Sequence, residues 1–302
     1  MRRLHVHHET VYRYARPVTF GDHRLMLRPR DSHDIRLLDT RLSLSPGGTV
    51  RWSYDVLGNS IATVSFDGPA SELRISSDVL VEHFGVPGPP LPVAAYAERL
   101  PFSYDAAEAP DLARSRERLH ADPEHRIDAF VQRFVNADPG TLSVLLAINT
   151  AIRQELRYEA RDALGTREPV ETLARGAGAC RDFALLLAEC ARSLGLAARF
   201  VTGYLHDAFA QARGGAATHA WTEVYVPGPG WIEFDPTNGL VGGDRLVRVA
   251  VARTPEGAVP IGGSYIGAAN DFLGMIVDVR VEEVACVALT DLADPATTAA
   301  AS

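Results

Sequence analysis

The residues best suited to chemistry are a cysteine, a histidine and an aspartate, met in that order along the chain. The cysteine lies in Gly178-Ala179-Cys180-Arg181-Asp182-Phe183-Ala184, just before the apolar run Leu185-Leu186-Leu187-Ala188. Thr218-His219-Ala220-Trp221 follows, and then Trp231-Ile232-Glu233-Phe234-Asp235-Pro236. These are the parts of an activated thiol nucleophile: the sulfur attacks, the imidazole takes its proton, and the carboxylate fixes the imidazole tautomer. A cysteine at a helix start gains from unpaired N–H groups and the helix dipole, which favour a thiolate and offer donors to an oxyanion. Gly176 and Gly178 let the backbone turn tightly and let a substrate approach. Taken alone, Cys180 reads more simply as a small buried hydrophobe. The glycines before it and the later histidine and aspartate reverse that.

A hairpin can bring the other two together. A three-residue loop, Pro227-Gly228-Pro229, pairs Val226 with Gly230 and sets Trp221 opposite Asp235. His219 then shares a face with Asp235 as its diagonal neighbour, roughly 7–8 Å away between backbones. A loop of two or four residues puts them on opposite faces. Trp221 is a candidate wall for an acyl-binding tunnel, and Trp231 a lesser one, although aromatics on strands are more often core.

The remaining reactive residues read as structural. Cys190 sits about 280° around the helix from Cys180 and belongs to the core. Cys286 lies in an apolar strand, Val284-Ala285-Cys286-Val287. His5, His7 and His8 have no cysteine or carboxylate cluster beside them in sequence, which argues against a metal site. His206 and Asp207 open a Gly/Ala-rich loop running to Ala217, which either borders the cleft or is a solvated connection.

Positioning these groups takes a helix and a sheet. The helix after Cys180 buries Phe183, Leu186, Leu187, Cys190 and Leu194 at helical spacing and stops at Gly195. Strands are expected at Ala198–Leu205, Ala220–Val226, Trp231–Phe234, Arg245–Val251 and Met275–Val281, all in one sheet. Asp122-Pro123 and Asp138-Pro139 are expected to start two earlier helices. Before them the chain reads as short alternating strands with turn chemistry at Pro46-Gly47-Gly48 and Leu57-Gly58-Asn59-Ser60, which suggests an antiparallel sandwich. Gly85-Val86-Pro87-Gly88-Pro89-Pro90 breaks that pattern. The expected fold is α+β: an N-terminal β-sandwich over 1–88, then a core over 89–302 with the cysteine helix on an antiparallel sheet. The tail beyond Asp291 is expected to be disordered.

The whole chain bounds the reading further. Its 302 residues, 46% hydrophobic and 23% charged, suit a soluble globular protein with room for two domains. A net charge of -8 argues against nucleic acid or an anionic membrane as partner. No apolar run approaches the roughly 18 residues of a membrane span, and the first residues, basic but without an apolar h-region, are not expected to be a secretory signal. Three widely spaced cysteines make neither a disulfide framework nor a metal knuckle, so a reducing cytoplasm is expected.

The three motifs, in this order and spacing, resemble those of the bacterial transglutaminase-like family, whose members are often described as candidate cysteine proteases. The strand-rich N-terminal part is similar to the β-domain that accompanies that core. The resemblance implies a papain-like α+β core in which Cys180 is the nucleophile, His219 the general base and acid, and Asp235 the orienting carboxylate. The family often has Gln after the cysteine and His after the Phe-Ala pair; here Arg181 and Leu185 stand there, so substrate contacts near the nucleophile are expected to differ. Gly178, Arg181 and Trp221 are the candidate substrate contacts. Papain-like enzymes also use a glutamine shortly before the cysteine, and none lies between Gln154 and Cys180. The Cys180 N–H is then the one oxyanion donor that can be named. The implied activity is thiol-dependent acyl transfer at a peptide or glutamine-type amide, ending on water or on an amine, with hydrolysis favoured. It needs no metal or cofactor, and no calcium loop is present. The expected partner is a protein or peptide substrate, with a homo-oligomer left open. The alternative is a non-catalytic binding module that keeps the fold.

Overall fold

A computed structural model describes residues 1–85, 92–161, 165–206 and 218–285. The expected break at Gly85–Pro90, the loop after Asp207, Cys286 and the C-terminal tail fall, apart from Gly85, outside those residues.

The first part is built from β1 (Arg2–Phe20), β2 (His23–Leu25), β3 (Ile35–Ser45), β4 (Gly48–Tyr54), β5 (Ser60–Phe66) and β6 (Ala70–His83). Every second residue of β6 from Leu73 to Val81 is buried and those between are part-exposed, the alternation of a sheet covered on one face. One antiparallel sheet runs β1-β6-β3 and the other β2-β5-β4. Their inner faces meet around Tyr14, Phe20, Leu25, Val64, Leu73 and Ile75. The other half of the first sheet, with Leu4, Val6, Val79 and Val81, packs on the second part of the chain.

That second part opens with α1 (Ala109–Arg116), α2 (Arg126–Ala137) and α3 (Thr141–Glu155). Two short parallel strands, β7 (Arg157–Tyr158) and β8 (Ala177–Gly178), flank α4 (Pro169–Arg175). Then come α5 (Cys180–Ser193) and β9 (Ala198–Leu205), β10 (His219–Val226), β11 (Gly230–Asp235), β12 (Leu240–Val241) and β13 (Leu246–Ala252). The last five form an antiparallel sheet in the order β12-β11-β10-β9-β13. Residues Asp182 to Arg192 of α5 are buried without a break, as a helix enclosed on all sides must be. Phe183, Leu186, Leu187 and Cys190 pack among α2, α3 and the sheet residues Val224, Val226 and Phe234. Gly195, with φ 77°, follows the helix end in a conformation that glycine adopts without strain.

Two expectations are corrected. Met275–Val281 does not join the core sheet. It lies in β16 (Phe272–Glu283), which, after β14 (Ile261–Gly262) and β15 (Tyr265–Ile266), returns to the sandwich and pairs with β1 from Leu4↔Glu283 to Tyr14↔Phe272. Alternation marks a strand, but burial chooses its partner: Val279 packs with Leu4, Val6 and Val81. All three C-terminal strands thus belong with the sandwich rather than with residues 89–260. The helix expected from Asp122-Pro123 begins instead at Arg126. Asp122 stays outside it and caps it, its carboxylate accepting from Arg126 N at 2.8 Å and Ile127 N at 2.9 Å. Among the described residues no helix is long and apolar enough to cross a membrane.

Candidate active site

Cys180 is the first residue of α5 and is half-buried. The turn beneath it is fixed by Asp182, whose side chain is fully buried. Asp182 Oδ2 accepts from Ala179 N at 2.9 Å, and Oδ1 accepts from Arg167 N and Arg161 Nη2, each at 2.8 Å. A carboxylate at the third helical position satisfies an N–H that the helix cannot. The helix is tied to the sheet by Thr222 Oγ1, which donates to Ala184 O at 2.6 Å.

His219 and Asp235 come from the hairpin. Val226 pairs with Gly230 and Thr222 with Phe234, the register expected of the three-residue loop, so Trp221 and Asp235 stand opposite. His219 Nε2 and Asp235 Oδ2 are 2.9 Å apart, and neither side chain is exposed. Burial disfavours the charged carboxylate, but the charge and hydrogen bond of His219, with donors from Asn238, hold its pKa below the usual range. An ionised carboxylate only accepts, so the shared hydrogen is on Nε2. Asp235 Oδ1 accepts from Thr237 N at 2.9 Å and Asn238 N at 3.2 Å, and Asn238 Nδ2 donates to Oδ2 at 2.9 Å. Asn238 Nδ2 also lies 3.4 Å from His219 Nε2, but both are donors and the contact is no bond.

The other ring nitrogen, Nδ1, is buried and makes no hydrogen bond of regular geometry. Burial works against protonation of the ring. Asp235, by charge and hydrogen bond, and the nearby Cys180 side chain outweigh it and raise the His219 pKa to about 10. The arrangement is a partly buried cysteine at a helix start, an imidazole near enough to feel its side chain, and a carboxylate behind the imidazole.

Trp221 has no exposed surface. It packs with Val201, Leu205, Leu246 and Val251, so this ring does not form the open wall of a tunnel. Beside it, Glu223 and Glu233 face each other across the hairpin, and Arg248 Nη1 donates to both at 3.1 Å. Arg181 donates through Nε to Gly165 O at 2.7 Å and through Nη2 to Arg161 O at 2.9 Å. Gly178 is packed so closely that a Cβ would meet Asp182 Cβ at 3.0 Å and Phe183 Cε1 at 3.1 Å. The three candidate substrate contacts are therefore engaged within the chain.

Asp182 and Asn238 were missed in the sequence. A signal existed for each: an acid three residues past the N-cap, and an Asp whose side chain caps the turn that follows it. Cys190 is buried in the core. His5 and His7 both approach Asp78 Oδ1, at 3.2 and 2.9 Å. Among the described residues no group of three or more His, Cys, Asp or Glu is placed to hold a metal ion.

Residues 4–82 match the bacterial transglutaminase-like N-terminal region, and residues 128–236 match the transglutaminase-like superfamily. The uncharacterized protein Rv2569c of Mycobacterium tuberculosis is 30% identical over 291 residues, spanning 92% of each chain. The uncharacterized protein ML0607 of Mycobacterium leprae is 25% identical over 286 residues, covering 92% of this chain and 99% of its own. The crystal structure of a candidate cysteine protease from Cytophaga hutchinsonii shares the fold, with a TM-score of 0.70 at 19% identity over 95% of this chain and 92% of that one. Two matched segments in series, a relative alike along nearly its whole length and a shared fold place this chain in the transglutaminase-like superfamily.

Proposed function

We propose that the chain is a thiol enzyme that opens peptide or glutamine-type amides through a Cys180 thioester. The observation that carries this is the buried His219 ring, held at Nε2 by Asp235 and presenting Nδ1 on the side where Cys180 influences it. A protonated ring beside a sulfur favours the thiolate. The Cys180 sulfur adds to the amide carbonyl carbon. The Cys180 backbone N–H, one of those a helix start leaves without an intrahelical acceptor, donates to the oxyanion in this reading. As the C–N bond breaks, the His219 Nδ1 proton goes to the leaving amine or ammonia. Water then attacks the thioester, giving its proton back to His219, and the carboxylic acid leaves. An amine in place of water makes the reaction a transamidation. Asp235 stays ionised throughout and keeps the ring in one tautomer. We favour water as acceptor and a reducing cytoplasm, which keeps the thiol free.

The test is mass-spectrometric labelling of the intact protein with iodoacetamide near pH 6, together with turnover of amide substrates by wild type and Cys180→Ser. Cys180 should label well ahead of buried Cys190 and faster than a free thiol, and Cys180→Ser should fold but not turn over. Labelling of Cys180 no faster than a free thiol, or turnover kept by Cys180→Ser, would sink the mechanism and leave a binding module that retains the fold.

A further inference from the structure

The seam between the sandwich and the core sheet holds a cavity of about 260 Å³. Cys180, His219 and Asp235 are not in its wall. The wall is drawn from both sides: Arg30 from the segment after β2, Asn59 just before β5, Arg199 from β9 and Arg248 from β13. Asn59 fastens the seam, its carboxamide accepting from Val251 N at 2.9 Å and donating to Val251 O at 2.7 Å.

The three arginines are each oriented from behind. Arg199 donates through Nε to Glu223, and its guanidinium lies 4.0 Å over the Trp231 ring. Arg248 is held by Glu223 and Glu233, and its Nη2 lies 3.7 Å from Asp34 Oδ1. Arg30 makes no hydrogen bond or ion pair among the described residues. Its guanidinium lies 5.9 Å from the Tyr54 ring centroid and crosses Gly58, where a Cβ would come within 2.2 Å of Nη1. The wall includes one carboxylate, Asp31, whose Oδ1 is taken by Leu37 N at 2.6 Å. Behind the wall Glu223 and Asp34 also lie against the arginines and offset part of their charge, whereas burial raises Glu233 to about 8, so that acid offsets less than a full charge at neutral pH. Guanidinium forks fit the paired oxygens of carboxylates and phosphates.

We propose that this seam cavity is a binding site for a small oxyanion, a carboxylate or a phosphate, held by Arg30, Arg199 and Arg248. Because both parts of the chain supply the arginines, the bound anion clamps the sandwich to the core and stabilises the intact protein.

The experiment is calorimetric titration and thermal unfolding of the full chain with inorganic phosphate and, separately, with succinate. Sodium chloride at equal ionic strength is the control. At least one anion should bind with one-to-one stoichiometry and raise Tm beyond the chloride control; which of them does so identifies the oxyanion. Arg30 is exposed, so Arg30→Ala should fold normally and weaken that binding at least about tenfold, and Arg30→Lys should recover only part of it. Binding of neither anion above the chloride control, or unchanged affinity in Arg30→Ala, overturns the proposal. Both readouts are independent of turnover, so neither depends on the chemistry assigned to Cys180.

Discussion

Trp221 lies over His219, with ring centroids 6.1 Å apart and planes inclined by 29°, while its indole N–H donates to Glu233 Oε1 at 3.2 Å. The indole closes one side of the imidazole and satisfies a buried acid with the same ring. Trp221→Phe keeps the aromatic face and removes the donor. It should cost about 1–3 kcal/mol in urea unfolding, the usual penalty for a buried polar group losing a partner. Turnover should stay within about tenfold of wild type, because Asp235 still holds the ring. A loss as deep as that of His219→Ala would mean that the indole acts on the reaction itself.

Asp235→Asn removes the charge that holds His219 protonated. Burial then acts on the ring with less opposition, so its pKa falls from about 10. Turnover should drop on the order of 10³–10⁴-fold, as expected when an orienting carboxylate becomes an amide. Alkylation of Cys180 at pH 6 should slow as well, since the imidazolium beside the sulfur is lost. An unchanged alkylation rate would show that Asp235 and Cys180 are not coupled through His219.

How much of this could be read from the sequence depended on the range of the interaction. The Pro227-Gly228-Pro229 loop sets the hairpin register locally, so the approach of His219 to Asp235 followed from counting residues. The helix at Cys180 and its stop at Gly195 were equally local. The pairing of β16 with β1 joins residues more than 250 positions apart, and alternation is silent about which strand receives them. The seam arginines were invisible for the same reason: Arg30, Arg199 and Arg248 share no local pattern. Trp221 stayed open between cleft wall and core because its packing partners, Val201, Leu205, Leu246 and Val251, come from two other strands, which a reading of the hairpin alone cannot include.

Asp182 supports Cys180 from beneath. Asp182→Ala removes the acceptor of two backbone N–H groups and leaves Arg161, among the described residues, only Gly165 O in place of a buried carboxylate. It should cost about 3–5 kcal/mol, the range for breaking a buried charge pair. The loss should be concentrated around the start of α5, so hydrogen exchange at Ala179 and Arg167, whose N–H groups Asp182 accepts, should accelerate more than at Leu186. Equal acceleration along the helix would mean that Asp182 stabilises the fold generally and not the nucleophile's turn.

His8 should contribute to the acid sensitivity of the fold. Nδ1 bonds the Tyr204 hydroxyl at 3.0 Å and Nε2 bonds Thr10 Oγ1 at 2.9 Å, in the contact between β1 and β9. Burial, aided by the charge of His7, pushes its pKa down to about 4. The unfolded chain therefore binds the extra proton between pH 6.5 and 4. The contribution is complete above pH 6.5 and is lost as the pH falls toward 4, by up to about 3 kcal/mol. His219 has the opposite sign: raised to about 10, its contribution is complete below pH 6.5 and is lost as the pH climbs to 10. Urea unfolding from pH 5 to pH 9 should thus give greatest stability near neutrality. His8→Asn should flatten the acid side and leave the alkaline side unchanged. If the acid side keeps its slope in the variant, the sensitivity comes from other groups and His8 stays neutral for no energetic consequence.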